Sequence, residues 1–143
     1  YYPGYNLRST DLQAYIGLSQ VDKLDDWGKQ RERNFESYQI LIENDYWKVK
    51  PQEDSFISNF AYPVIHPNRD KIVKELQKNN IEVRPMICGS MGTQPFYVKK
   101  YGRLELPNVS IIDKYGFYIP NHPHLTSSEI ILISHIVNEG IKE

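Results

Sequence analysis

A chain of 143 residues suits one domain with one substantial core, because a domain of this size buries roughly 68–70% of its unfolded surface. Apolar residues make up 40%, charged residues 24%, and the formal net charge is -1. That balance excludes bulk attraction to nucleic acid or to an anionic membrane surface. No apolar run reaches the ~18 residues of a membrane span. Cys88 is the one cysteine, so no internal disulfide is open to the chain, and a reducing cytoplasm is the expected location. Eleven tyrosines point to surfaces that are half apolar and half hydrogen-bonded, as at interfaces and polar pockets.

The chain opens on Tyr1 without an initiator methionine and runs at once through a polar, glycine-hinged loop, Gly4-Tyr5-Asn6-Leu7-Arg8. The expectation is a portion of something larger. Thr10 and Gln13 have capping-box spacing and predict a helix start. In that helix Leu12 and Ile16 share one side, and Ala14, Gly17 and Val21 another, the pattern of a helix packed between partners. Asp22 is the expected cap of a long second helix, in which Leu24, Trp27, Phe35, Tyr38 and Ile42 recur at helical spacing. That helix is expected to end near Asn44-Asp45.

Pro51 to Asp54 reads as a loop and Phe56 to Ile65 as a strand, with Pro63 arguing for an edge position or a bulge. His66-Pro67-Asn68 turns the chain into a short helix over Arg69 to Lys78, with Ile72, Val73 and Leu76 inward. A second strand is predicted over Ile81 to Ile87, a loop over Gly89 to Pro95, a short helix through Ile112, and a third strand over Tyr115 to Ile119. Thr126 and Glu129 repeat the capping-box spacing before a last helix with Ile130, Ile133, Val137 and Ile141 inward. The expected fold class is α+β: an antiparallel sheet of about three strands packed with helices on one face, preceded by a long helical segment. Residues 1–50 are expected to supply the loop and interface helices, and 51–143 the small α+β domain.

Several side chains bear on chemistry. Asn6 suits a turn beside Gly4, and its amide also matches a phosphate oxygen. Arg8 sits just before a helix start, where a cation is disfavoured, so a phosphate partner is one reason for it. Arg84 reads either as a solvent-face arginine or as a sugar or phosphate contact at a strand end. His122 and His124 flank Pro123 without the acidic or thiol ligands that complete a metal site, and read as pocket-lining or turn residues. His66 and His135 read as structural, and Cys88 as a small buried apolar residue. Lys48, Lys99 and Lys100 sit among polar neighbours, where an ammonium stays charged, so none reads as a Schiff-base lysine.

Gly4-Tyr5-Asn6-Leu7-Arg8, Thr10-Asp11-Leu12-Gln13-Ala14, Ile16-Gly17-Leu18 and a long helix with Arg31, Arg33 and Asn34 resemble the DegT/DnrJ/EryC1/StrS sugar aminotransferases. The stretch Ile119-Pro120, Pro123, Leu125-Thr126, Glu129-Ile130 resembles that family's closing motif. The resemblance covers the whole chain but only the C-terminal part of the family's fold. It implies the small domain of a fold-type I pyridoxal-phosphate enzyme that modifies a nucleotide-linked 4-keto-6-deoxy sugar for cell-surface polysaccharide. It further implies a large cofactor-binding domain or subunit elsewhere, without which this chain is not expected to be catalytic, and a homodimer or hetero-oligomer with shared sites. Asn6 would then bind the cofactor phosphate across the interface, and Arg8 would face the substrate's diphosphate side; Arg84, Gln94 and His122 are the further candidates for substrate contacts. Arg84-Pro85, Gly89-Ser90 and Gln94-Pro95-Phe96-Tyr97 resemble the 3-dehydrase branch better than the plain aminotransferases. Ser90 departs from that branch, which usually has asparagine after the glycine. The alternative is a non-catalytic module that binds a nucleotide sugar or dimerises.

Overall fold

The computed structural model describes residues 10–86 and 89–142. Asn6, Arg8 and Cys88 therefore lie outside the described residues. Helix α1 spans Asp11–Val21 and begins as its sequence dictates. The Thr10 hydroxyl accepts from Gln13 N at 3.3 Å, and the Gln13 side-chain oxygen accepts from Thr10 N at 2.9 Å. Two orphan donors of the first turn are satisfied together.

Helix α2, Leu24–Leu41, does not start on Asp22. Its cap position falls on Lys23, whose backbone is already helical and whose side chain makes no capping bond. The physical reason is continuity: Asp22 is itself in the right-handed helical region at the end of α1. A capping side chain needs an extended backbone to fold back onto the first turn.

Strand β1 is Ala61–Ile65, shorter than the predicted Phe56 to Ile65. The preceding residues find partners on side chains instead of a neighbouring strand. Ile57 N donates to the Glu32 carboxylate at 3.3 Å, and the Asn59 carbonyl accepts from Asn121 Nδ2 at 2.9 Å. Helix α3, Arg69–Lys78, follows as predicted, with Ile72 and Leu76 buried. Among the described residues, strand β2 keeps only Arg84–Pro85 of the run predicted over Ile81 to Ile87. Ile81 N is already bonded back to the Leu76 carbonyl, and Pro85 has no N–H to extend a ladder.

A single 3₁₀ turn, Met91–Thr93, and helix α4, Pro95–Tyr101, occupy the region beyond. Helix α5 is Pro107–Tyr115; both α4 and α5 start on proline, whose missing N–H costs nothing in a first turn. Because α5 runs on to Tyr115, strand β3 is displaced to Gly116–Pro120. Helix α6, Ser127–Lys142, closes the chain behind its second capping box.

The three strands form one antiparallel sheet in the order β1-β3-β2. Pro63 thus lies in an edge strand, where a missing donor is tolerated. Pairing sets Tyr62 opposite Ile119 and Val64 opposite Phe117. These four are buried, and with Phe35, Tyr38 and Ile42 of α2 and its end, Ile72 and Leu76 of α3, and Ile130, Ile133, Ile136 and Val137 of α6 they form the core. Helices α2, α3 and α6 thereby cover one face of the sheet. The other row of the register, Pro63–Tyr118–Arg84, lies on the opposite face. This is the α+β architecture expected from the sequence.

Candidate functional site

The helix-free face of the sheet carries a groove of about 240 Å³. Its chemistry comes from Phe60, Glu82, Arg84, Tyr118, Asn121 and His122. Strand pairing supplies one wall. Arg84 stands directly opposite Tyr118 in the β2–β3 ladder. The Tyr118 ring meets Phe60 at a centroid distance of 5.8 Å. Arg84 Nε and Nη2 each lie 2.9 Å from Glu82 Oε1. Both side chains of that pair are well exposed, so it adds little stability. It holds the guanidinium at the groove while leaving further N–H donors of the fork unspent on Glu82.

The second wall is the chain leaving β3, which α2 fixes in place. Tyr38 Oη donates to the Pro120 carbonyl at 2.9 Å, and Asn34 Nδ2 donates to the His122 carbonyl at 3.0 Å. Asn34 Oδ1 in turn accepts from Gln30 Nε2 at 3.0 Å. Burial raises the Tyr38 phenol far above its ordinary value, so it remains a donor at any working pH. Asn121, fully buried, donates to the Arg31 carbonyl at 3.2 Å as well as to Asn59. One asparagine therefore ties together α2, the segment before β1 and the exit of β3. Its Oδ1 has no partner among the described residues. The His122 ring accepts from His124 N through Nδ1 at 3.2 Å, and the His124 ring stands edge-on to Trp27 at 5.9 Å.

Of the residues singled out in the sequence, Arg84 and His122 come together at this groove. Gln94 does not line it; it occupies the cap position of α4, in extended backbone geometry. Glu82, Tyr118, Phe60 and Asn121 escaped the sequence reading. Glu82 and Tyr118 look like ordinary strand-end residues until the register sets them beside Arg84. Asn121 offered one signal, a polar residue directly after a β-rich run. Among the described residues no three His, Cys, Asp or Glu side chains are grouped as a metal site requires. Among them, too, no helix is long and apolar enough to cross a membrane.

A profile of the DegT/DnrJ/EryC1/StrS aminotransferase family matches residues 1–138. The chain belongs to this family. Among its relatives, the lipopolysaccharide biosynthesis protein RfbH of Salmonella typhimurium is 29% identical, over 89% of this chain and 31% of RfbH. The GDP-perosamine synthase of Escherichia coli O157:H7 is 27% identical, over 95% of this chain and 37% of the synthase. A solved E. coli GDP-4-keto-6-deoxy-D-mannose-3-dehydratase with bound hydrated pyridoxal phosphate superposes with a TM-score of 0.73 at 25% identity. That superposition covers 94% of this chain and 37% of the dehydratase. The chain thus spans about a third of the length of these relatives, and its fold is that of a portion of a pyridoxal-phosphate enzyme.

The groove is not built as a seat for that cofactor's aldehyde. No lysine among the described residues lines it. Lys48, half-buried, donates instead to the Gln39 carbonyl at 2.9 Å. What the groove offers is a guanidinium, a carboxylate, an imidazole and aromatic walls, which suit recognition of an oxygen-rich ligand rather than covalent attachment of an aldehyde.

Proposed function

We propose that this chain is the substrate-side portion of a pyridoxal-phosphate enzyme acting on a nucleotide-linked 4-keto-6-deoxy sugar, by amino transfer or by loss of the 3-hydroxyl, in the making of cell-surface polysaccharide. The observation that carries the proposal is the meeting of Arg84, in β2, and His122, on the chain leaving β3, at one groove on the sheet face the helices leave free. The names of the relatives support the substrate class. Arg84 contributes positive charge and directional donors toward ligand oxygens. Phe60 and Tyr118 contribute apolar area for a sugar ring. Asn6 is assigned to the cofactor phosphate across a subunit interface, Arg8 to the diphosphate, and Gln94 to the substrate from the start of α4. The cofactor supplies the electron sink, and this chain supplies position and charge.

The proposed partners are the nucleotide sugar and a large cofactor-binding domain or subunit, in a homodimer or hetero-oligomer in the cytoplasm. Residues 1–50 would supply the contact with those partners and 51–143 the substrate domain. The face available for docking is α1, on which Leu12, Tyr15, Ile16, Leu18 and Val21 are all more than half exposed.

The test is turnover of GDP-4-keto-6-deoxymannose by the enzyme assembled from this chain and its cofactor-binding portion. The expected result is a modified sugar, with Arg84→Ala raising KM about tenfold or more, the worth of a charged hydrogen bond. An assembled complex that leaves the sugar unchanged overturns the proposal. The chain carries its own guanidinium and imidazole at the groove, which favours a second reading as a binding module that does no chemistry. Tight nucleotide-sugar binding by a complex without turnover is its mark.

A further inference from the structure

The groove contains one ring whose two nitrogens face different tasks. His122 Nδ1 accepts the N–H of His124 at 3.2 Å. A nitrogen that accepts a hydrogen bond carries no proton, so the neutral ring holds its proton on Nε2. The backbone around it is held independently: the His122 carbonyl accepts from Asn34 Nδ2 at 3.0 Å and from Leu125 N at 3.3 Å. Among the described residues nothing accepts from Nε2. The ring is thus fixed in one tautomer, and a neutral donor is left over at the groove.

We propose that His122 divides its nitrogens: Nδ1 shapes the turn after β3, and Nε2–H donates to an uncharged oxygen of the sugar bound in the groove. This rests on the substrate-side reading above and adds a specificity-determining contact to it. The groove already holds the cation suited to phosphate, Arg84, kept there by Glu82. Apart from Arg84 and Glu82 the groove lining is apolar or neutral, with Phe60, Tyr118, Ile119, Pro120 and Asn121, and the carboxylate that acts on His122, Glu129, is engaged by the Thr126 N–H and hydroxyl. A neutral donor among such walls suits a hydroxyl or keto oxygen, which needs a hydrogen bond but no counter-charge.

The two roles separate by substitution, because two side chains each reproduce one nitrogen. Asparagine places an acceptor near Nδ1 and can keep the i+2 turn bond, but it does not reach Nε2. Glutamine places an N–H near Nε2 but offers nothing at Nδ1. In the assembled enzyme, calorimetry with GDP-mannose and with GDP is the measurement, with Tm recorded for every variant. His122→Asn is expected to keep Tm and lose about fivefold to tenfold in affinity for GDP-mannose, with GDP unchanged. His122→Gln is expected to bind GDP-mannose within about threefold of the parent while lowering Tm. Equal affinity of His122→Asn and the parent overturns the assignment. So does an equal loss in both variants, which marks a structural role, or an equal loss for GDP, which moves the contact to the nucleotide. A parent enzyme that binds no nucleotide sugar at all removes the substrate-side reading itself.

Discussion

Helices α1 and α6 begin with the same device and end in opposite circumstances. Each opens on a threonine whose hydroxyl accepts from the third residue of the helix, and in each a Gln or Glu at that third position reaches back to the threonine N–H. Yet α6 buries six of its residues, Ile130, Ile133, Ser134, Ile136, Val137 and Gly140, while α1 buries none. The difference lies in how the apolar residues are distributed. In α6 most of them gather on the side facing α2 and α3, with Ile131 and Leu132 left exposed; in α1 they occur on more than one side, and no neighbour among the described residues covers them. A capping box decides where a helix starts, and the distribution of apolar area decides whether it belongs to a core. On the function proposed above, α1 would carry its apolar surface for a contact outside the described residues.

The largest expected effect contrasts the two surfaces directly. Leu76, fully buried in the core, is expected to cost about 2–5 kcal/mol when replaced by alanine, the range for a core leucine that leaves a cavity. Leu12, 68% exposed on α1, is expected to stay within about 0.5 kcal/mol on the same change in the unassembled chain. Urea unfolding of both variants measures this. A Leu12→Ala loss comparable to that of Leu76→Ala would mean that α1 is already part of the core.

A smaller effect distinguishes the helices by their glycines. A Cβ on Gly140 would lie 2.6 Å from Ile72 Cγ1 and 3.3 Å from Ile72 Cα, with backbone behind the clash. Gly140→Ala is therefore expected to lower stability by about 1–3 kcal/mol through overpacking of α6 on α3. Gly17, inside α1, has nothing within 4 Å of where its Cβ would be. Gly17→Ala is expected to raise the stability of the unassembled chain by roughly 0.5–1 kcal/mol through helix propensity. If that gain turns to a loss of assembly with the cofactor-binding portion, Gly17 marks where the partner approaches α1.

Legibility in the sequence followed the range of the interaction. Contacts within one helical turn were readable in part: both capping boxes, the helix entered at Pro107, and the inward set Ile130, Ile133 and Val137 stand, whereas Pro95, expected to end a loop, starts α4. Pro63 was readable as an edge residue because a missing donor constrains where a strand can sit. Asp22 misled because its residue type suits a cap, while the backbone geometry that permits capping depends on how α1 runs into α2. Strand lengths were overread at both Phe56 and Ile81, where β-prone residues take backbone partners from Glu32, Asn121 and Leu76 instead of from a strand. The site was legible as two isolated candidates, Arg84 and His122. Its walls were not, because Glu82, Phe60, Tyr118 and Asn121 acquire their meaning only from the β1-β3-β2 register and from the hydrogen bonds of Asn34 and Tyr38.

The smallest expected effect separates the two capping boxes by pH. The α6 box is ionic: the Glu129 carboxylate accepts from Thr126 N and from the Thr126 hydroxyl, both at 2.7 Å. These two hydrogen bonds, backbone first, hold its pKa below the ordinary glutamate value of 4.5, with a further contribution from the neighbouring His122. The α1 box uses Gln13 and cannot titrate. A carboxyl whose pKa is lower folded than unfolded contributes stability that is present above 4.5 and lost as pH falls through the folded value. Lowering pH below 4.5 should therefore weaken the α6 box and leave the α1 box intact. Other carboxylates protonate in the same range, so the informative quantity is the difference between the parent and Glu129→Gln, which makes the α6 box resemble that of α1. In thermal unfolding from pH 6 to pH 3, the Gln variant is expected to fall less steeply than the parent. Thr126→Ala should remove the same pH-dependent difference, and with it about 1 kcal/mol of capping at neutral pH. Parallel profiles for parent and Glu129→Gln would show that the carboxylate makes no stronger bond in the folded chain than in the unfolded one, and the two helix starts would then be equivalent in strength as well as in design.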